Sequence, residues 1–246
     1  MSALRYLQQI QIRIKLIILF LLAISSIQAE KLTMSINYLG LNVVNVLMED
    51  DGKTLSVTAK ATSLATLAAN MDNCYISEYI DDYLPTKRLK KIIQKDYAEN
   101  RMILYDQLQK TAFRTSYLNN DLSKNYQIHQ ETHDFFTALF YIRNNLDNPK
   151  RLYLDASSVI WSCDYQVVGK DVINSCIGSV EAIKVEVFFR KISPEKKERS
   201  DMLTNNLLKE DRKLEMWFTN DSLHLPLKTR YNKRPFPVLW LLRSYE

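Results

Sequence analysis

The sequence predicts a mainly β protein with one antiparallel sheet and one buried α-helix at about residues 134–146. Three observations support this prediction. Apolar and polar residues alternate strictly over 32–38, as in a strand with one buried face. Turn signals such as Asp51 followed by Gly52 separate successive apolar segments, so neighbouring strands are expected to be antiparallel. The stretch 134–146 is the one long segment with apolar residues at helical spacing.

Alternation and short apolar runs predict further strands on both sides of the helix. They cover 41–48, 55–61, 74–80, 86–97, 102–105 and 112–117 before it, and 151–154, 158–168, 171–176, 182–190, 214–218 and 225–231 after it. Residues 64–71 are compatible with a strand or a short helix. The charged stretch 192–213 is predicted to be a solvated loop, with a short helix at its centre as the alternative.

The predicted helix carries two adjacent apolar stripes. One consists of Phe135, Ala138, Leu139, Ile142 and Leu146, and the other of Phe136 and Phe140. The Asp134 carboxylate is expected to cap its N-terminus, and Arg143 suits the negative end of the helix dipole. A helix that is apolar on most sides is usually buried on most sides. We expect it to be a core plug packed on the sheet; the alternative is a helix that lines an apolar cavity.

The N-terminal segment has the features of a secretory signal peptide. Residues 14–27 are a largely apolar run, preceded by Arg5 and Arg13, and Ala29 offers a small residue for cleavage before Glu30. The run is shorter than the roughly 20 apolar residues that a membrane span needs. We therefore predict a signal peptide at 1–29 and an exported, periplasmic domain at 30–246 in a Gram-negative-type envelope. An uncleaved inner-membrane anchor is the alternative.

The overall positive charge of the chain resides mostly in this segment. The full sequence has 33 basic and 28 acidic residues. Without residues 1–29, which include Arg5, Arg13 and Lys15 but no acid, 33 − 3 = 30 basic residues remain against 28 acidic ones. A net charge of +2 does not support binding to nucleic acid. Membrane contact is expected only through the signal segment or peripherally.

Two of the three cysteines are candidates for a disulfide. If Gly169 and Lys170 form the turn of a hairpin, Cys163 and Cys176 lie directly opposite each other. That position brings the Cα atoms to about 4.5 Å, which suits a disulfide or a close pair of thiols. The prediction depends on the register of this hairpin. Cys74 is expected to be a small buried apolar residue.

The sequence contains no recognisable catalytic, cofactor or metal motif. His129 and His133 are four residues apart, but the pattern is not that of zinc proteases, and two exposed histidines at a helix entrance are the expected alternative. The four glycines are isolated from one another, so the sequence offers no phosphate loop, dinucleotide fingerprint or nucleophile elbow. We predict no catalytic residues, no metal and no cofactor.

A basic run over 87–91 allows two interpretations. It could contact an anionic lipid or polysaccharide. We favour a solvated strand face, because the net charge of the predicted mature chain is nearly balanced.

The sequence resembles bacterial envelope proteins known only as domain of unknown function 3108. The matching segments are 38–41, 84–87, 105–106, 134–143, 168–169, 178 with 182–185, 217–221 and 225–228, and the motif residues in them are Gly40, Pro85, Asp134, Arg143, Gly169, Gly178, Trp217, Asp221 and Pro226. The helix and the segment from Trp217 to Pro226 are the most specific. Asn45 replaces a usual small residue, and the insert over 193–209 is longer than usual.

The resemblance implies an exported, mostly β protein whose single curved antiparallel sheet closes toward a barrel. It implies no activity and no catalytic residues. We therefore expect a non-enzymatic envelope protein. The two apolar stripes of the helix and the many strands with one apolar face lead us to the hypothesis that it holds a lipid or other apolar ligand in a half-open barrel. The alternative is a structural or docking subunit of an envelope-spanning complex, which would use an exposed sheet edge or the charged insert. An envelope hydrolase would need a polar cleft to which the sequence does not point.

Overall fold

The computed structural model of the chain describes residues 29–66, 70–195, 201–210, 212–233 and 235–246. The predicted signal peptide lies almost entirely outside these residues, and its cleavage site stays a prediction. Within the described ranges, no helix is long and apolar enough to cross a membrane.

Fifteen strands in the described ranges form one sheet. They are β1 (Glu30–Tyr38), β2 (Leu41–Asp50), β3 (Thr54–Ala61), β4 (Met71–Ile80), β5 (Leu84–Gln94), β6 (Tyr97–Asp106), β7 (Thr111–Ser116), β8 (Lys124–Gln127), β9 (Thr132–Asp134), β10 (Leu152–Asp155), β11 (Ile160–Ser175), β12 (Gly178–Lys191), β13 (Lys213–Thr219), β14 (Pro226–Tyr231) and β15 (Val238–Tyr245). The helices are α1 (Ser63–Thr66), α2 (Phe135–Asn144) and α3 (Met202–Leu207), with 3₁₀ turns at Asp81–Tyr83 and Asn120–Leu122.

The strand order follows the chain almost without interruption. It is β8-β7-β6-β5-β4-β3-β2-β1-β15-β14-β13-β12-β11-β10-β9, and every neighbouring pair is antiparallel except β9 and β10. Short hairpins produce this order, as the turn signals predicted. The β1–β2 turn places Leu39 at φ 55° and Gly40 at φ 79°, so both residues of the turn are left-handed, as a type I′ hairpin requires.

The central helix begins at the residue that the sequence predicts. The Asp134 Oδ1 atom accepts hydrogen bonds from the backbone N–H of Phe136 at 2.9 Å and of Thr137 at 3.3 Å. The Thr137 hydroxyl accepts in return from the Asp134 N–H, which completes a capping box. The Ser77 hydroxyl of β4 donates to Asp134 Oδ2 at 2.6 Å and so fixes the helix start against the sheet. The helix ends at Asn144, two residues before the predicted end.

The sheet curls around α2. The Phe136 ring lies 4.9 Å from the ring of Tyr75 in β4, and the Phe135 ring lies 6.4 Å from that of Phe189 in β12. Seven strand spacings separate β4 from β12, which is about 34 Å in a flat sheet. Adjacent helix residues contact both strands because the sheet bends around them. The fold is thus a mainly β, barrel-like sheet with one buried helix, as predicted.

Near the two edges of the curled sheet, side-chain hydrogen bonds, and not pairing between strands, connect the strands before α2 with those after it. In the described ranges the edge strands are β8 and β9, so the sheet is not closed. Gln107 donates to the Thr132 carbonyl at 2.9 Å and accepts from its N–H at 3.1 Å, and thereby takes the place of a neighbouring strand for β9. Asp155 of β10 accepts hydrogen bonds from Tyr105 of β6 and Tyr126 of β8, at 2.9 and 2.6 Å.

The predictions at Gly169 and over 192–213 differ from the structure. Gly169 does not form a turn: β11 runs through it, with a bulge at Val168, and the chain turns only at Cys176 and Ile177. Gly169 has φ 152°, a backbone angle that glycine adopts readily. Glycine is therefore suited to this bulge as well as to a turn. The stretch 192–213 contains the short helix of the alternative prediction, but in its described part Leu203, Leu207 and Leu208 are buried in the core.

The capping interaction gives a first prediction. Replacement of Asp134 by Ala removes the helix cap and leaves the buried Ser77 hydroxyl without its acceptor, so we expect unfolding free energy to fall by about 2–4 kcal/mol. Urea titration followed by circular dichroism measures the change. Asp96→Ala, at an exposed turn, is the control and should change stability by less than about 0.5 kcal/mol. Equal losses in both variants would contradict the proposed role of the cap.

Candidate functional site

An apolar pocket of about 170 Å³ lies between α3 and one end of the sheet. Its described lining consists of Ile36, Tyr38, Val43, Val44, Met71, Leu203, Leu207, Tyr231, Lys233, Val238 and Trp240. Leu203 and Leu207 form the wall that α3 contributes, and the ends of β1, β2, β14 and β15 contribute most of the rest. A concave, mostly apolar lining with few polar groups is typical of sites for small ligands.

The interior beside α2 is filled by side chains. A second cavity there, between Leu139 and Phe140 of the helix and the sheet, measures about 30 Å³. That is room for about one water molecule. Trp240 lines both cavities. The helix therefore packs as a plug, and the apolar pocket lies at α3.

Asp201 fixes the position of α3. This residue is fully buried, its Oδ1 accepts from the Thr204 N–H at 2.8 Å, and its Oδ2 accepts from the Thr204 hydroxyl at 2.6 Å. Lys90 Nζ on β5 lies 3.0 Å from Oδ2. Burial raises the pKa of Asp201, but Lys90 and the Thr204 donors outweigh it and hold that pKa well below its usual range. One buried carboxylate thus caps α3 and ties it to the sheet.

Lys90 belongs to an interior charge cluster that also contains Arg88, Glu99, Arg101 and Asp201. None of the five is more than 4% exposed. Glu99 Oε1 lies 3.3 Å from Lys90 Nζ and 3.2 Å from Arg101 Nε. Burial lowers the pKa of Arg88, but nearby carboxylates, chiefly that of Asp134, raise it above its ordinary value. Buried charges persist in a fold only where such opposite charges compensate them.

The interpretation of 87–91 as a solvated strand face is wrong for two of its residues. Arg88 and Lys90 point into the protein, because alternate residues of β5 face the interior. Lys91 is exposed, and Lys87 forms an ion pair of 2.6 Å with Glu78 on the outer face. Sequence reasoning missed the inward orientation of Lys90 because Asp201, which pairs with it, lies more than 100 residues later in the chain.

Three of the predicted motif residues meet near the C-terminal end of α2. Arg143 pairs with Glu30 of β1 at 2.7 Å and donates two hydrogen bonds to the Leu223 carbonyl, at 3.0 and 2.7 Å. Asp221 holds that loop by accepting from the Leu223 and His224 N–H groups at 3.0 and 3.1 Å. Pro226 follows at the start of β14 and, with Arg143, lines the small cavity. These contacts tie the helix to β1 and β14.

The remaining motif residues lie elsewhere and do not converge on the pocket. Pro85 is buried at the start of β5, and Gly178, at φ 101°, begins β12. Trp217 of β13 lies between Lys184 and Lys228, whose ammonium groups are 5.2 and 4.7 Å from its ring, and its indole N–H donates to Asp171 at 2.7 Å. Gly40 and Gly169 occupy the turn and the bulge described above.

The two histidines that sequence spacing suggested as metal ligands lie in different environments. His129 is exposed and stacks on Tyr153, with ring centroids 4.1 Å apart. His133 is buried, and its Nδ1 lies 3.1 Å from the Tyr83 carbonyl oxygen, which can only accept. Burial lowers the pKa of His133 to about 4. Among the residues that the structure describes, no group of acidic, histidine or cysteine side chains is arranged to hold a metal.

The predicted disulfide between Cys163 and Cys176 is wrong for this fold. Both thiols are free, and Cys163 faces Phe189 across the β11–β12 pair. Because β11 is continuous, 13 residues of extended chain separate the cysteines, which is about 40 Å. A disulfide needs Cα atoms within about 7 Å. Cys74 is half-buried and also free.

The cysteine geometry predicts the order of thiol reactivity. In reduced native protein, Cys176 should react with Ellman's reagent first because it is exposed in a turn. Cys163 should react only after unfolding, because burial raises the pKa of its thiol. The absorbance of the released thiolate measures the rate at which each cysteine reacts. In the control variant Cys176→Ser, the fast phase should be absent. Loss of the fast phase in Cys163→Ser instead would contradict this arrangement.

His133 gives a prediction for the pH dependence of stability. Its pKa is about 4 in the folded state and about 6.5 when unfolded, so the unfolded chain binds an extra proton between these values. Unfolding free energy should therefore fall by up to about 3 kcal/mol from pH 6.5 to pH 4. His133→Gln should flatten this slope, and His129→Gln should leave it unchanged. Urea titrations across this pH range measure the unfolding free energy of each variant. If its pH dependence is the same in His133→Gln as in the wild type, His133 is not the group responsible.

Comparison with known proteins supports the fold and assigns no activity. No curated protein matches the chain. A β-barrel-like protein of domain of unknown function DUF1849 from Brucella abortus superposes with a TM-score of 0.56 at 5% identity, over 89% of this chain and 97% of that one. At such low identity the similarity establishes the fold alone.

Two further comparisons concern a second structure and the sequence family. A candidate exported protein with a YmcC-like fold from Bacteroides fragilis gives a TM-score of 0.33 at 8% identity, over 88% of this chain and 95% of that one, which supports no inference. The family model described as Protein of unknown function (DUF3108) matches residues 31–233, most of the chain. The chain therefore belongs to the DUF3108 family.

Proposed function

We propose that this protein is a non-catalytic, exported protein of the cell envelope that binds the end of an apolar ligand in the pocket beside α3. The observation that carries the proposal is the pocket itself, with its nearly continuous apolar lining. Burial of apolar surface contributes roughly 25 cal/mol per Å² and needs no specific polar partner. The ligand class is therefore a lipid or another molecule with an apolar end.

The pocket volume limits how much of the ligand enters. A cavity of about 150 Å³ lined by Leu, Ile and Phe binds benzene. A volume of about 170 Å³ thus fits roughly six to eight carbon atoms. Because side chains fill the interior beside α2, the rest of a longer ligand would lie outside. Insertion of a chain end suits this geometry better than enclosure of a whole lipid.

The composition of the pocket favours binding over catalysis. Its lining, in the described part of the chain, combines aliphatic and aromatic residues with Lys233 and two tyrosines, and includes no carboxylate, histidine or cysteine. The described lining thus lacks the carboxylate, imidazole and thiol groups that most often act as general acids, general bases or nucleophiles. The interior charge cluster is occupied by its own ion pairs.

One observation favours a docking subunit as the second candidate function. β11 pairs with β10 only as far as Cys163, so its edge over 164–175 has no neighbouring strand among the described residues. Val167, Val168 and Val172 on this segment are exposed, Val172 by 74%. An extended segment of a partner could add to such an edge as a further strand. A complex of fixed stoichiometry isolated from native membranes, and lost in Val172→Lys, would support this candidate.

A substitution that fills the pocket tests the leading proposal. Val238 is half-buried on the pocket wall, so Val238→Trp should occupy the ligand volume and weaken binding of octanol at least tenfold. Val172→Trp, which adds the same side chain at an exposed position of β11 that does not line the pocket, is the matched control. Tryptophan fluorescence titration provides affinities, and native mass spectrometry of protein from the periplasm tests for a copurified adduct.

The proposal fails if folded wild-type protein binds no apolar probe. It also fails if Val238→Trp and Val172→Trp bind octanol with equal affinity, because the ligand would then lie outside this pocket. Circular dichroism melts of both variants establish that each is folded.

A further inference from the structure

We infer that the ligand carries an anionic headgroup, a carboxylate or a phosphate, which Lys233 binds at the mouth of the pocket. The inference rests on the proposed function and adds the ligand's charge and orientation. It comes from the placement of one exposed cation on a lining whose other described residues are uncharged.

Lys233 lies where the apolar wall meets solvent. It is exposed and follows β14 by two residues, and its Nζ lies 5.7 Å from the centre of the Tyr38 ring. Tyr38 and Lys233 both line the pocket. A chain inserted between Val44 and Trp240 would thus leave its head near this ammonium group. The head would stay hydrated there, so a charge on it avoids the cost of burial.

The electrostatic surroundings favour a negative head over a neutral or positive one. Among the described residues of the lining, Lys233 is the one that carries a charge. Arg212 adds a second positive charge next to the lining, since its Nη1 donates to the Tyr231 hydroxyl at 2.9 Å. The acid next to the Met71 wall, Asp72, is offset by Lys60 at 3.7 Å. The charges nearest the pocket among the described residues are therefore mainly positive, which favours an anion.

Pocket size and charge together define the ligand class. The volume admits about six to eight carbons, and the cation stands at the open end. A single-chain amphiphile with an anionic head satisfies both conditions. Its chain supplies most of the affinity, and the head sets orientation and selectivity against neutral or cationic amphiphiles.

Three probes with the same chain length test the inference: octanoate, octyl phosphate and octanol, each below its aggregation threshold. Titrations of the full mature chain at low salt are followed by tryptophan fluorescence, since Trp240 lines the pocket. Lys233→Met should weaken octanoate or octyl phosphate about threefold to tenfold and leave octanol unchanged. Lys233→Arg retains the charge and should restore the affinity for anions. Lys53→Met, at an exposed turn beyond the opposite end of β2, is the matched control.

Added salt provides a second readout. It should weaken binding of the anionic probes and not that of octanol, because salt screens the exposed charge but not the apolar contacts. A response from only one anionic probe would support the inference and identify the head as carboxylate or phosphate.

Two outcomes overturn the inference in distinguishable ways. If octanol binds and Lys233→Met leaves all three affinities unchanged, the headgroup assignment is wrong while the apolar pocket stands. If no probe binds wild-type protein, the proposed function fails and this inference fails with it.

Discussion

Three buried aspartates hold this fold together at the points where backbone pairing does not. Asp134 caps the central helix and binds β4, Asp155 joins β10 to β6 and β8 through two tyrosines, and Asp201 caps α3 and pairs with Lys90. Each is fully buried. Because the sheet curls without closing, side-chain contacts must connect the elements that strand pairing does not connect. Loss of one partner typically costs about 3–5 kcal/mol for a buried ion pair such as that of Asp201 with Lys90, and about 1–3 kcal/mol for a buried hydrogen bond.

The same arrangement explains why the candidate site lies at α3 and not beside the central helix. Aromatic and aliphatic side chains of α2 fill the curve of the sheet, and little space remains around them. α3 is a single short helix held by its cap, and it covers the sheet end with two leucines. A pocket remains where this small element meets the sheet. The proposed binding site thus lies beside this small element, while the family-motif residues at the helix end tie α2 to β1 and to the loop before β14.

Local signals in the sequence predicted the elements, and non-local contacts decided the rest. The cap at Asp134 and the alternation over 32–38 depend on neighbours in sequence, so both could be predicted. The inward orientation of Lys90 depends on Asp201, more than 100 residues later, and no local pattern shows it. Gly169 was misassigned because glycine suits a bulge as well as a turn, and the cysteine pairing failed with that register. The pocket combines β1, β2, β4, α3, β14 and β15, which only the folded chain brings together.

The most direct test is a crystal structure of the mature protein with 8-bromooctanoate, in which anomalous scattering locates the bromine. We expect a bromine peak between Val44 and Trp240, with the carboxylate beside Lys233. A peak along the exposed edge of β11 would contradict this binding mode. Density for the probe elsewhere on the sheet, with this pocket filled by protein side chains, would contradict it as well.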